Sequence, residues 1–222
     1  MRNLLKTQIV AEDLKRLYYE INNSRRYPFR FRQAFEQYIY KSQQLTETMR
    51  KEFRSLTGNN WAAGEFEGWN AYTNILKALR NATYHGYPLA LHGTALALYQ
   101  GVEFATDIEP PSELDFVRGY RVMESTLFVE LPFDEELFSI SAGFPIKNIT
   151  QSGSTHAFPL KEFISYKITW RLLDEGVRKA TDKAGTTDAV KITLHSYPAL
   201  VAYSKYYASV LNKNNINEDV HS

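Results

Sequence analysis

The 222-residue chain contains no cysteine. That single absence removes disulfides, thiolate nucleophiles, iron–sulfur clusters and cysteine zinc sites together. A metal site would have to be built from His, Asp or Glu, and His92, His156, His195 and His221 show no ligand spacing to each other or to a carboxylate cluster. No apolar run approaches the roughly eighteen residues that a membrane helix needs. The start, MRNLLKTQIVAEDLK, carries Lys6, Glu12, Asp13 and Lys15 where a signal peptide keeps its apolar stretch. The expectation is a cytoplasmic protein with no membrane partner. Charge of one sign is missing too: 26 Lys and Arg face 25 Asp and Glu, for a formal net charge of +1. Proteins that coat nucleic acid through bulk electrostatics are far more basic, so nucleic acid would have to bind locally. Ser152, Gly153, Ser154 and Thr155 lack the Lys and the spacing of a phosphate-binding loop, and no Gly-rich dinucleotide fingerprint is present.

What the chain does have is 44% hydrophobic residues, enough to close a core, and 14% aromatic residues, which serve as core or as stacking surface. Val10, Leu14, Leu17, Tyr18 and Ile21 recur at spacings of three and four, predicting a first helix that ends at Asn22, Asn23 and Ser24. Phe31, Phe35, Tyr38, Ser42, Leu45, Met49, Glu52 or Phe53, and Leu56 follow an almost heptad rhythm between Pro28 and Gly58. This second helix needs a partner along most of its length. A third helix is predicted from about Ala62 to Tyr84, with Trp69, Tyr72, Ile75, Leu76, Leu79 and Ala82 as its stripe and with Gly86 and Pro88 to stop it.

After Pro88 the texture changes, and residues 89–105 fit helix and strand equally. Tyr120 to Leu131 and Phe138 to Phe144 carry β signals and predict an antiparallel ribbon, joined by an acidic turn at Phe133 to Glu136. Leu160, Phe163, Ile164, Ile168, Leu172 and Val177 suggest a fourth helix within 159–184, broken near Gly185. The alternation of Val190, Ile192 and Leu194 suggests one more strand. Ser196 and Pro198 are good starting residues for a last helix bearing Leu200, Tyr203, Tyr207 and Val210. The expected fold is mainly α, a helical bundle with an inserted β-ribbon that makes the second half α+β. It is read as one domain, 1–222, with a bundle core at 1–88 and about 159–212 and an insertion at about 106–150.

The stretch Leu79-Arg80-Asn81-Ala82-Thr83-Tyr84-His85-Gly86-Tyr87 carries the chemistry. Arg80 and His85 are five residues apart, about 140° around a regular helix, so both side chains could reach one ligand if the helix loosens at Gly86. Arginine holds phosphate bidentately, and histidine moves a proton near neutrality. A second feature, Arg25, Arg26, Arg30 and Arg32 interleaved with Tyr27, Phe29 and Phe31, offers cations for phosphates and rings for bases. Each has a plainer reading. Basic residues at a helix C-terminus meet its unpaired carbonyls, and the arginine–aromatic stretch could be a solvated helix start whose rings join the first two helices.

Arg80, Asn81 directly after it, His85 followed by Gly86, and Tyr87 together resemble the motif of the HEPN superfamily, the helical domains named for higher eukaryote and prokaryote nucleotide binding. The pattern Arg, four residues, His, one residue, Tyr looks like that of the toxins paired with nucleotidyltransferase-type antitoxins. The seventy or so residues of β character after it depart from the family, which usually moves quickly to a final helix. The resemblance implies a HEPN-like bundle and metal-independent RNA cleavage, with no metal and no cofactor, leaving a 2′,3′-cyclic phosphate and a 5′-hydroxyl. On that view His85 is general acid or base, Arg80 binds the scissile phosphate, Asn81 orients one of them, and Tyr87 contacts substrate or is modified by a partner. It further implies a homodimer with facing motifs, RNA as substrate, a cognate antitoxin as possible partner and a role as a toxin or phage-defence effector. Two other readings stand beside it: a HEPN-like module that binds nucleotide or RNA without cutting it, and a dimeric helical scaffold in which the motif is coincidence.

Overall fold

The computed structural model describes residues 6–61, 66–84, 89–100, 102–104, 126–132, 149–151, 158–159, 164–169 and 174–219. Among them the chain is mainly helical. Its helices are α1 (Lys6–Asn23), α2 (Pro28–Thr57), α3 (Ala71–Tyr84), α4 (Glu175–Ala184) and α5 (Ala189–Asp219). The strands are β1 (Leu91–Gln100), β2 (Val102–Phe104), β3 (Thr126–Pro132), β4 (Ile149–Gln151), β5 (Phe158–Pro159) and β6 (Ser165–Ile168). The fold divides into two compact units. One comprises residues 1–24, 29–91 and 166–222, and the other 25–28 and 92–165.

The helical unit is organised around the predicted stripes. α1 buries Val10, Leu14, Leu17 and Ile21, and α2 buries Phe31, Phe35, Tyr38, Ile39, Leu45, Met49 and Phe53, as their three-four spacing dictates. Pro28 opens α2, where its missing N–H costs nothing. Thr7 meets Glu52, and Lys41 Nζ donates to Asp13 Oδ2 at 2.8 Å, so α1 and α2 run antiparallel. Tyr38 and Ser196 share a hydrogen bond of 3.1 Å, and Tyr207 donates to Glu52 at 3.1 Å, which sets α5 alongside α2 in the same direction. α3 packs against α4 and α5.

Four sequence expectations need correction. The third helix begins at Ala71, not near Ala62. Asn70 caps it: its Oδ1 accepts from Thr73 N–H at 3.0 Å, while Thr73 Oγ1 accepts from Asn70 N–H at 3.2 Å. Trp69 is therefore outside the helix, packed in an aromatic cluster edge-on to Phe66 and tilted against Tyr203. The fourth helix is shorter than 159–184, because Phe158–Pro159 and Ser165–Ile168 are strands and α4 starts only at Glu175. Asp174 caps it through Val177 N–H at 2.7 Å, and Gly185 ends it at φ 66°. Val190, Ile192 and Leu194 are helical, not a strand. Asp188 starts α5 by accepting Val190 N–H on its side chain at 3.0 Å and Ile192 N–H on its carbonyl at 2.9 Å. Pro198 consequently lies inside α5 instead of opening a later helix.

Of residues 89–105, which the sequence left open, Leu91–Gln100 form β1 and Val102–Phe104 form β2. β1 pairs antiparallel with β3, from Thr94 opposite Pro132 to Gln100 opposite Thr126, and with β5, Leu98 opposite Phe158. β2 pairs antiparallel with β4, Val102 opposite Gln151. The strand within Tyr120–Leu131 is thus present as β3, and its described partner is β1. The ribbon partner Phe138–Phe144 and the acidic turn lie outside the described residues, as does the Ser152–Thr155 loop. Among the described residues the strands run from Leu91 to Ile168.

Candidate nucleic-acid interface

Arg80 stands one turn before the end of α3. Thr83 Oγ1 donates to the carbonyls of Leu79 and Arg80, each at 3.0 Å, so the side chain one turn on satisfies backbone acceptors that the helix end would otherwise leave open. Leu79 and Ala82, flanking it in sequence, are buried and fix the orientation of this face. The Arg80 guanidinium is half-buried, with Nη2 3.6 Å from Glu47 Oε1 on α2. At that separation the contact is an ion pair, longer than a good charge-assisted hydrogen bond. With both side chains partly in solvent it is worth roughly 0–1 kcal/mol. Glu47 could not be named as a partner from the sequence, because it is 33 positions from Arg80 and meets it only where the fold brings the two helices within reach of this ion pair.

Asn81 follows on the exposed side of α3. His85 and Tyr87 lie outside the described residues. The four arginines of the second candidate stretch are divided between the two units: Arg25 and Arg26 go with residues 92–165, whereas Arg30 and Arg32 belong to the first two turns of α2 in the helical unit. Arg30 is exposed and Arg32 half-buried. Of the interleaved rings, Phe31 is fully buried and stacked on Tyr166 with centroids 3.8 Å apart, so it serves the core. Tyr27 and Phe29 are exposed, Phe29 at 74%. An exposed ring beside Arg30 retains the stacking surface that a base would use.

The described histidines are His92, exposed on β1, and His195. His195 stacks on Tyr72 with centroids 4.6 Å apart, and its backbone carbonyl accepts from Asn70. Among the described residues no group of three or more His, Asp or Glu is placed to hold a metal ion. No described helix is long and apolar enough to cross a membrane. Comparison with family models, curated proteins and solved structures finds no match to this chain.

Proposed function

We propose that the protein is a metal-independent endoribonuclease of HEPN type, acting as a toxin or phage-defence effector, in which Arg80 and His85 do the chemistry. The observation that carries this reading is the placement of Arg80. A half-buried guanidinium sits at the end of an amphipathic helix, held by an ion pair to a neighbouring helix, at the head of a sequence that supplies Asn81, His85 and Tyr87 within seven residues. In the proposed reaction the ribose 2′-hydroxyl attacks the adjacent phosphorus, and the 5′-oxygen leaves. His85 takes the proton from the nucleophile or gives one to the leaving group. Arg80 neutralises charge that builds on the phosphoryl oxygens, and Asn81 orients the phosphate or the imidazole. Tyr87, Arg25, Arg26, Arg30 and Arg32 contact the RNA on this reading, and two copies of the chain face their motifs toward each other.

Incubation of the purified protein with total RNA and tRNA in EDTA tests it. Fragments with cyclic phosphate ends are expected from the wild type and not from Arg80→Ala or His85→Ala, with sedimentation reporting a dimer. A binding reading without catalysis is favoured by one feature, the carboxylate of Glu47 beside the guanidinium meant for phosphate. Intact RNA with salt-sensitive binding would select it and end the nuclease proposal.

A further inference from the structure

The last turns of α2 carry a second cationic feature that the Arg80 motif does not include. Arg50, Lys51 and Arg54 are exposed, and the spacing of 47, 50, 51 and 54 places all three on the same helix face as Glu47. Gly58, at φ 70°, ends the helix with its N–H on the Arg54 carbonyl at 3.0 Å and turns the chain back. That reversal brings Asn60 and Trp61 against the three cations, enclosing an open cleft of about 340 Å³ lined by Arg50, Lys51, Arg54, Asn60 and Trp61. The aromatic wall is rigid. Trp61 is buried, its Nε1 donates to Tyr203 Oη at 2.7 Å, and its ring packs on Phe53, Tyr206 and Tyr207.

Among the described residues the lining contains three cations and no carboxylate. None of the three has an acid within 4.0 Å among the described residues, which is equally true of Lys77, Arg178 and Lys183, so what sets them apart is their clustering on one helix face against Asn60 and Trp61. Part of the clustering suits the helix end, whose carbonyls carry about −0.5 charge. Three full positive charges exceed that several-fold, so the surplus favours an anion. About 340 Å³ is at the small end of ligand sites, room for a nucleotide-sized portion of a ligand. Along the helix the cleft lies about 5–10 Å from Glu47, the residue that holds Arg80.

We infer that this cleft binds the phosphodiester backbone of single-stranded RNA, extending the Arg80 site along α2 as a positioning tract. The inference deepens the nuclease reading and rests on it for the identity of the anion. Arg50, Lys51 and Arg54 hold flanking phosphates, and Asn60 adds an amide donor. None of them acts on the scissile bond.

The test uses the full chain carrying His85→Ala, so that RNA survives, and a short single-stranded RNA titrated at several salt concentrations. Arg50→Gln/Lys51→Gln/Arg54→Gln is compared with Arg178→Gln/Lys179→Gln/Lys183→Gln on α4, which removes the same net charge elsewhere. Both triples are expected to fold, since surface substitutions of this kind change stability little. The α2 triple should weaken binding at least about tenfold at low salt and flatten the slope of log K against log salt by about 2, as loss of three phosphate contacts requires. The α4 triple should stay within about threefold of the parent. Equal behaviour of the two triples would overturn the inference, as would displacement of RNA from the cleft by phosphatidylserine vesicles at matched anion concentration. The two proposals fail separately. Cleavage by the wild-type chain with an unchanged KM in the α2 triple removes the tract and keeps the nuclease; cation-dependent binding without any cleavage removes the nuclease and keeps the tract.

Discussion

Thr7, Glu52 and Tyr207 come from the two ends and the middle of the helical unit and meet inside it. The Glu52 carboxylate is buried, and it accepts from the Thr7 hydroxyl, from Thr7 N–H at 3.5 Å and from the Tyr207 hydroxyl at 3.1 Å. Tyr207 is correspondingly raised above its ordinary pKa, first by burial and then by the Glu52 charge. Truncation of the acid strands two buried hydroxyls, and each unsatisfied group costs about 1–3 kcal/mol. Glu52→Ala is therefore expected to lose about 2–4 kcal/mol in urea unfolding, and Glu52→Gln, which keeps the volume and one acceptor, less than half of that. Equal losses would show that the volume and the acceptor contribute nothing of their own. Arg80 and Glu47 form the opposite case, a partly solvated pair whose separation should hardly register in stability.

Helix boundaries separate what the sequence displays from what it conceals. α1 and α2 are legible because their apolar period is unbroken and their ends carry Asn22, Asn23, Pro28 and Gly58. The start of α3 is not, because Trp69 continues the apolar stripe while packing on Tyr203 from outside the helix. The Asn70–Thr73 exchange was the available signal, a cap followed three residues later by a residue able to bond back. Asn70→Ala should cost about 1 kcal/mol, within the usual range for a lost cap, and fray the first turn of α3, readable by hydrogen exchange at Thr73 and Asn74. Unchanged protection there would contradict the cap. Val190, Ile192 and Leu194 misled for another reason: alternation over five residues fits a strand, and only the Asp188 cap and the buried Thr193 and Ser196 reveal the helical period. The β1–β3 pairing joins residues 26 to 38 positions apart, a register no local pattern encodes. Of the candidate site, Arg80 and Asn81 were legible as a motif, while Glu47 and the cleft at the end of α2 depend on helix packing and on the turn at Gly58.

Buried phenols give the fold a directional response to pH. Tyr38 is fully buried and raised well above 10.0 by desolvation, while Tyr197, Tyr203 and Tyr207 are raised in the same direction, with burial the largest cause in each. A phenol that keeps its proton in the folded state but loses it when unfolded contributes stability below the unfolded pKa. That contribution falls as pH rises beyond about 10, by up to about 1.4 kcal/mol per pH unit for a fully buried phenol such as Tyr38 and by less for the partly exposed Tyr197. Unfolding free energy should be flat in this contribution to about pH 9 and decline above about pH 10. Tyr38→Phe should make the decline shallower, with tyrosinate absorbance as the second readout. A variant that tracks the wild-type slope would remove Tyr38 from the account.

The helical unit is assembled from both sides of the β-containing segment: α1, α2 and α3 precede residues 92–165, and α4 and α5 follow them. During synthesis the faces bearing Leu17, Tyr38 and Leu79 leave the ribosome more than a hundred residues before the α5 side chains that cover them. At ordinary elongation rates of about 5–20 residues per second, that interval is roughly 5–20 s. The nascent chain therefore passes through a stage in which α1, α2 and α3 have all been made while the α5 side chains that complete their burial have not.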